Sequence, residues 1–335
     1  MALWLKENAA DSDIVVSTRA RLARNHAGIP FPHKIQGTTQ ARMVRQAATD
    51  AFMGSGKDFK LLEMQTLSEV QKRRLIEQHI ASKELCTSQD GALILSPDES
   101  ISIMVMEEDH YRLQYLKSGF APEEAYQVCR EMEHMLGQKV EYAFNSKLGY
   151  LTACPTNVGT GLRIGVMLHL KGLALSKTVD TVLNSIGQFG LTARGMYGEG
   201  SSPVADFYQV SNQITLGVRE EDVVKNIRQV VGRLINQERE VRRILYKNNQ
   251  LEIEDRVMRA YGVLKHARKI SSEEACQNLS MVAMGIGLGI VAPCSQETIY
   301  NLIMDTMPAM LATEENEPAV QRDVSRAELI RKTLD

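Results

Sequence analysis

The sequence predicts an α+β fold: a largely antiparallel sheet flanked by helices, followed by a small all-helical region. Three observations carry that expectation. Up to about residue 247, short β-like runs and helical stretches mix without the strict alternation of a parallel α/β sheet. From about residue 250 the apolar stretches take helical spacing instead. The 335 residues, 44% of them hydrophobic, suffice for one large domain or two ordinary ones, and the change of character divides them into 1–247 and 248–335.

Asp13 to Thr18 reads as a short strand, and Pro30 and Pro32 mark a loop. Thr39 to Met53 has helical spacing. Thr66 and Glu69 form a capping-box signature for a helix running to about Ser82. Two β-like runs follow, Ala92–Leu95 and Ile101–Met106. Pro122 suits the first turn of a helix that ends near Leu136 and Gly137. Leu148–Ala153 leads into a glycine-containing loop, then a strand over Arg163–Leu170. Asp180 to Phe189 reads as a helix stopped by Gly190. Leu191–Met196 and Phe207–Val210 are short strands. Glu220 to about Lys247 is a long charged helix, weakened at Gly232. Leu251–Ile270, Ser271–Ile290 and Ser295–Ala312 read as helices, the second with Ser271 and Glu274 as a capping box. A polar stretch, Thr313–Pro318, precedes a last short helix. Methionines crowd this region (Met281, Met284, Met304, Met307, Met310). They read as an adaptable helical core or, equally, as the seam of a homodimer.

The formal net charge of -2 gives no global basic field for nucleic acid. Around Arg239–Arg243 acids interleave with the bases, so a solvated helix face is expected there. Five cysteines without C-x-x-C spacing form neither a disulfide framework nor a zinc knuckle, which fits a reducing cytosol. Polar residues follow Met1 too soon for a signal peptide, and Met281–Cys294 is too short and glycine-rich for a membrane span. The expectation is a soluble, cytoplasmic protein. With no H-E-x-x-H or comparable spacing, no protein-bound catalytic metal is expected.

Four segments carry chemistry. Cys154-Pro155-Thr156-Asn157-Val158-Gly159-Thr160-Gly161-Leu162-Arg163 sets two glycines and two threonines around a turn whose backbone N–H groups could meet an anion. It lacks both the lysine of a Walker A loop and the spacing of a dinucleotide fingerprint. Cys154, ending a strand beside arginines, would have its thiolate favoured; in isolation it reads as a small core residue. Glu107-Glu108-Asp109-His110-Tyr111-Arg112 crowds charges into one turn. A strand continuation there would put Glu108 and Arg112 on one face and Glu107 on the other. Arg194-Gly195-Met196-Tyr197-Gly198-Glu199 could bring Arg194 and Glu199 to a ligand from one pliable loop. Ser17-Thr18-Arg19-Ala20-Arg21, if extended, would set Arg19 and Arg21 on one face, and their planar forks bind phosphate oxygens in pairs. Singly these are a glycine turn, a solvated acidic corner, a hairpin and a basic edge strand. Together they offer cations for a polyphosphate and carboxylates for a guanidinium, which points to phosphoryl transfer onto nitrogen.

Over about residues 13–245 these segments resemble the catalytic domain of the phosphagen (guanidino) kinases, the creatine and arginine kinase group. Leu151 to Gly161 is the most specific stretch. Metabolic members place a helical domain ahead of the catalytic one, whereas here a helical region follows it. Near the end, Arg322-Asp323-Val324-Ser325-Arg326-Ala327 resembles the RDxxRA phosphoarginine-binding motif of bacterial protein arginine kinases.

The resemblance implies a phosphagen-kinase-type domain that uses ATP and Mg²⁺, the ion held through the nucleotide. It implies a nucleotide site made of Ser17, Thr18, Arg19, Ala20 and Arg21, His79, Arg112, Arg163 with Ile164, Gly165, Val166 and Met167, and Arg194 with Gly195, Met196, Tyr197, Gly198 and Glu199. Glu108 and Glu199 would hold the substrate guanidinium, and Cys154 would orient it without a covalent intermediate. Arg322, Asp323 and Arg326 would bind phosphoarginine as an allosteric or docking site. Implied partners are protein substrates, among them a stress-response repressor, a Clp protease ATPase and a zinc-binding activator. A kinase for a free guanidino compound and a non-catalytic phosphoarginine-binding adaptor are the alternatives. Two departures stand out: Met106 where the family usually has asparagine, and Ile164-Gly165 in place of Ala-Ser.

Overall fold

The computed structural model describes residues 3–6, 9–35, 38–195, 205–315 and 317–335. The first strand, β1 (Val15–Arg24), reaches well beyond Thr18, so both Arg19 and Arg21 lie inside it. Alternation explains the length: Ala20 and Leu22 bury one face while Arg19 and Arg21 stay partly exposed on the other. Helix α1 (Thr38–Phe52) and strand β2 (Lys60–Glu63) follow.

Helix α2 (Glu69–Glu77) is capped by Ser68 with Gln71, not by Thr66 with Glu69. The Thr66 hydroxyl instead donates to Glu63 O at 2.8 Å and closes a 3-10 turn. The helix also ends early, because His79 takes a left-handed backbone with φ 61°. Ser82 then caps a separate short helix, α3 (Lys83–Thr87).

Strands β3 (Ala92–Leu95) and β4 (Ile101–Val105) match expectation. Strand β5 (Tyr111–Ser118) does not, because Arg112 and Lys117 mask its alternation in the sequence. Next come α4 (Pro122–Gly137), a small hairpin β6 (Phe144–Asn145) and β7 (Gly149–Tyr150), and β8 (Leu162–His169). Then follow α5 (Lys171–Leu175), α6 (Val179–Ser185), β9 (Leu191–Gly195) and β10 (Phe207–Asn212).

Helix α7 (Glu220–Asn248) runs 29 residues without a break at Gly232. After it come α8 (Gln250–His266), α9 (Ser272–Gly287) and α10 (Gln296–Asp305). The helix expected over 295–312 is two, because Pro308, lacking an N–H, starts a new short helix, α11 (Pro308–Leu311). The last helix, α12 (Ala319–Leu334), is longer than expected at 16 residues. Among the described residues, no helix is long and apolar enough to cross a membrane.

The described strands β2 to β5, β1, β8, β10 and β9 form, in that spatial order, an eight-stranded sheet whose pairings are all antiparallel. Helices α1, α4 and α7 cover one face, packing on Ala20, Leu22, Leu113, Ile164 and Val166. The other face is apolar at one end. There Val16, Leu116, Met167 and Phe207 share a core with Trp4 and helices α8, α9, α10 and α12. Three residues on from Val16 in β1 and four back from Met167 in β8, Arg19 and Arg163 take over and the face becomes cationic. A buried network ties the helices to the sheet. Arg242 of α7 donates to Glu238 at 2.6 Å and to His169 O at 2.8 Å, and the His169 ring meets Ser280 Oγ of α9 at 2.8 Å.

Candidate active site

At the cationic end of the sheet lies a cleft of about 380 Å³. Arg19 and Arg21 enter it from β1, Arg112 from β5, Arg163 from β8 and Arg194 from β9, with Glu108, Cys154 and His79 on its walls. Register explains the convergence: β1 pairs Arg21 with Arg163 across to β8. These guanidinium groups disfavour one another. Burial, then Arg112 and Arg163, push Arg19 down to about 10. Burial and the same neighbours push Arg21 well below its ordinary value, with Glu107 opposing. Such crowding is what a polyanion relieves.

Strand alternation also selects among the expected nucleotide residues. Thr18, Ala20, Ile164 and Val166 lie on the opposite face of the sheet. Thr18 Oγ1 donates to Gly119 O at 2.7 Å, and the other three are buried in the core under the helices. Ser17 and Met167 line a small apolar cavity next to the cleft, which His79 also lines. His79 is held neutral, pushed down to about 3 by burial and by Arg19. Met196, Tyr197, Gly198 and Glu199 lie outside the described residues.

The carboxylates sit on the β4–β5 turn. Glu107 does not oppose Glu108, as a continuing strand would require. The segment turns, and Arg112 takes both: Nη1 to Glu107 at 2.5 Å and Nη2 to Glu108 at 3.4 Å. Glu107 is buried and also accepts from Ser82 Oγ. It therefore fixes Arg112, a positioning role the sequence reading missed. Burial, then the nearby Asp109 and Glu107 against Arg112, raises the Glu108 carboxyl above its ordinary value.

Met106 stands at φ 59°, a left-handed conformation where asparagine is common and a longer side chain is strained. The family's usual asparagine fits that backbone, while Met106 buries its side chain in the main core instead.

Cys154 does not end a strand. It caps a 3-10 turn (Pro155–Asn157), and its Sγ lies 3.0 Å from Thr156 Oγ1. Asp109, fully buried, holds this loop in place, accepting from Ala153 N and Asn25 Nδ2, both at 2.7 Å. Asn25 Oδ1 in turn accepts from His110 N at 2.8 Å, so one network registers Glu108 against Cys154. His110 is structural. Its Nδ1 accepts from His26 N, its Nε2 meets Pro30 O, and burial pushes it down to about 4.

Both glycines of this loop are required by close packing, and the N–H groups of Gly159 and Thr160 are already taken. Gly159 N donates to Tyr150 O and Thr160 N to Thr215 O. A Cβ on Gly159 would stand 2.2 Å from Thr215 O, and one on Gly161 2.6 Å from Ala23 O. Gly165 has a local reason too. A Cβ there would reach 2.5 Å from Gln209 Nε2, and Gln209 Oε1 accepts from Arg19 at 2.9 Å.

A family model described as ATP:guanido phosphotransferase, C-terminal catalytic domain, matches residues 41–241. The chain belongs to the ATP:guanido phosphotransferase family. A second model, the protein-arginine kinase McsB C-terminal domain, matches residues 250–335 of this kinase. The protein-arginine kinase of Bacillus subtilis (strain 168) is 42% identical over 344 residues, covering 100% of this chain and 93% of its own. That of Bacillus cereus (strain G9842) is 42% identical over 337 residues, covering 99% and 95%. Among solved structures, the duplicated taurocyamine kinase from Schistosoma mansoni with bound transition state analog components is similar, with a TM-score of 0.62 and 25% identity. The match spans 68% of this chain and 33% of that one.

In this kinase the C-terminal motif faces largely inward. Arg326 is 1% exposed and donates to Thr306 O at 2.7 Å, Ile270 O at 2.9 Å and Asp323 Oδ1 at 2.5 Å. Asp323 and Arg326 thus bind each other, and Arg322 donates to Glu317 O. Among the described residues no group of three or more His, Cys, Asp or Glu is arranged to hold a metal ion. The donors of the cleft, arginines above all, fit a polyphosphate.

Proposed function

We propose that this protein transfers the γ-phosphate of ATP to arginine side chains of protein substrates. The observation that carries the reading is one cleft lined by Arg19, Arg21, Arg112, Arg163 and Arg194 together with Glu108 and Cys154. The arginines bind the phosphates, each charge-assisted contact being worth about 1.5–3 kcal/mol. Mg²⁺ arrives on the nucleotide's phosphate oxygens and offsets part of their charge.

A guanidinium is a weak nucleophile because its nitrogen lone pairs are delocalised. Glu108, with Glu199 as second carboxylate, aims one nitrogen at the γ-phosphorus. The N–P bond forms as the bond to the ADP oxygen breaks, and the proton leaving nitrogen goes to Glu108. Its raised basicity suits that task. Cys154 lies against the guanidinium and fixes its plane. Arg322, Asp323 and Arg326 form a phosphoarginine site, Asp323 exchanging Arg326 for the ligand's guanidinium. A stress-response repressor, a Clp ATPase and a zinc-binding activator are the partners proposed from the resemblance, in a reducing cytosol.

The test is mass spectrometry, at neutral pH, of an arginine-rich protein incubated with the enzyme and Mg-ATP, beside free L-arginine. Phosphoarginine on the protein is expected, with its loss in Glu108→Ala and Glu199→Ala. Turnover of the free amino acid alone would end this reading in favour of a small-guanidine kinase. Equal labelling by wild type and Glu199→Ala would remove Glu199 from the site.

A further inference from the structure

Behind the Cys154 loop lies a second, shallower groove of about 370 Å³. Its walls are the β6–β7 hairpin and the segment after β10. Four large apolar side chains line it while remaining open to solvent: Phe144 at 59% exposure, Leu216 at 51%, Leu148 at 45% and Val218 at 37%. Clustered exposure of this kind marks a surface that another molecule covers.

The groove's floor is backbone at glycine contact distance. Gly149, at φ 78°, has no room for a Cβ, which would stand 2.6 Å from Gly159 O, and Gly159 presses on Thr215. That floor continues into the cleft. Thr215 Oγ1 donates to Thr156 O at 3.0 Å and Val158 O at 2.8 Å, and Thr156 lines the cleft beside Cys154. One loop therefore borders the cleft on one side and the apolar groove on the other.

We infer that this groove seats apolar side chains flanking the target arginine in an extended segment of the substrate protein; the inference rests on the function proposed above. Continuity with the cleft favours that occupant over a second copy of the chain. Four apolar side chains also fall far short of the roughly 20–30 residues a side of a stable dimer interface. Charge agrees, since Arg219 is paired with Asp222, and Arg130 with Glu220 and Glu133. With Lys147 the lining cations number three, against Glu220 and Glu221 of the lining and the paired Asp222 and Glu133 beside it, so the groove has little cationic surplus for an acidic partner.

The experiment compares two short peptides, one arginine flanked by leucine and phenylalanine and the same arginine flanked by serine and glycine. They are assayed with wild type and with Phe144→Ser/Leu216→Ser. Fully burying one such side chain is worth about 1.5–3 kcal/mol. Wild type should therefore show a KM at least about tenfold lower for the apolar peptide. The variant should lose that preference while keeping kcat, the KM for ATP and the KM for the polar peptide. A benzophenone in the apolar flank should cross-link wild type within 144–148 or 214–218. Equal KM values in wild type, a preference retained in the variant, or cross-links elsewhere would overturn the inference. So would a variant that turns from dimer to monomer in sedimentation with all activity lost. Phosphorylation of neither peptide would instead strike the proposed function itself.

Discussion

Arg19→Met should stabilise the protein without nucleotide and weaken it relative to wild type with nucleotide. Burial and the guanidinium groups of Arg112 and Arg163 hold Arg19 down at about 10. At 1.36 kcal/mol per pH unit, that sets roughly 3 kcal/mol against its charged form in the fold. The direction follows from linkage. A cation whose folded pKa lies below its unfolded one destabilises the fold wherever it is charged in both states, and the penalty fades only as pH rises past about 10. At pH 7 it applies in full. Part of the side chain still meets solvent, so the figure is an upper bound.

Methionine keeps most of the stem, removes the charge and loses the 2.9 Å charge-assisted bond to Gln209, worth about 1.5–3 kcal/mol. The balance is a gain of up to about 1.5 kcal/mol, read as a melting point about one to two degrees higher. With Mg-ATP at about a hundred times the wild-type Kd, wild type gains about 2.7 kcal/mol by mass action. A variant bound ten- to a hundredfold more weakly, as loss of one charge-assisted contact of about 1.5–3 kcal/mol implies, gains far less. The order of the two melting points should invert. A variant that melts below wild type without nucleotide, or that keeps the full nucleotide-induced rise, would refute the idea that these cations are crowded for a phosphate chain.

Glu107→Gln should raise the KM for ATP about tenfold and change kcat less, since it frees Arg112 from a charged contact at 2.5 Å; an unchanged KM would remove its positioning role. Because Glu108 is raised and must be ionised to take the proton, kcat/KM should fall, as pH drops, through a value above the ordinary glutamate range. An acid limb at or below that range would show another group in the role. Hydrogen peroxide should inactivate wild type and spare Cys154→Ser from that loss. Burial raises the thiols of Cys86, Cys129, Cys276 and Cys294, whereas Cys154 lies open on the cleft; equal sensitivity would place the damage elsewhere. Arg242→Met should cost about 3–5 kcal/mol in urea unfolding, because it strands the Glu238 carboxylate. A loss under about 1 kcal/mol would mean that the N–H groups of Gly172 and Leu173 satisfy Glu238 alone.

How far the sequence could be read depended on whether a signal was local. Alternation in Arg19-Ala20-Arg21 is a local signal, and β1 shows both arginines on one face. Applied with the same rigour, it would have turned the side chains of Thr18, Ala20, Ile164 and Val166 away from the cleft, since period two puts them on the helix-covered face. Strand β5 was hidden because two cations interrupt its apolar alternation, Arg112 serving the cleft and Lys117 pairing with Glu124 at 2.8 Å. The packing role of the glycines at 159 and 161 was hidden for a related reason. A glycine run looks alike whether it cradles a phosphate or admits a neighbouring strand, and only the partners Thr215 and Ala23 decide. Glu107 could have been found only through Ser82 and Arg112, which reach it from a distant helix and from across a turn. Gly165 likewise makes sense only with Gln209, 44 positions away, because that side chain fills its missing Cβ and holds Arg19.

The C-terminal helices bear on the cleft through its wall rather than through any residue within it. Helix α2 ends where the chain turns through His79 into the cleft, and both ends of α11 grip it. Glu77 accepts from the N–H groups of Ala309 and Met310, at 2.9 and 3.0 Å, at the start of α11. Arg74 donates to Ala309 O and to Ala312 O at its close. An acid at the helix start and a base at its end both complement the helix dipole, so the clamp is favourable at each contact. Arg326 of the RDxxRA segment donates to Thr306 O, one turn ahead of α11. Drawing Arg326 or Asp323 toward a ligand would loosen Thr306 and with it the seat of α11 on α2. If phosphoarginine binds there as proposed, its effect would reach the cleft through α2, the helix that sets His79 beside Arg19 and is held by the segment the motif secures.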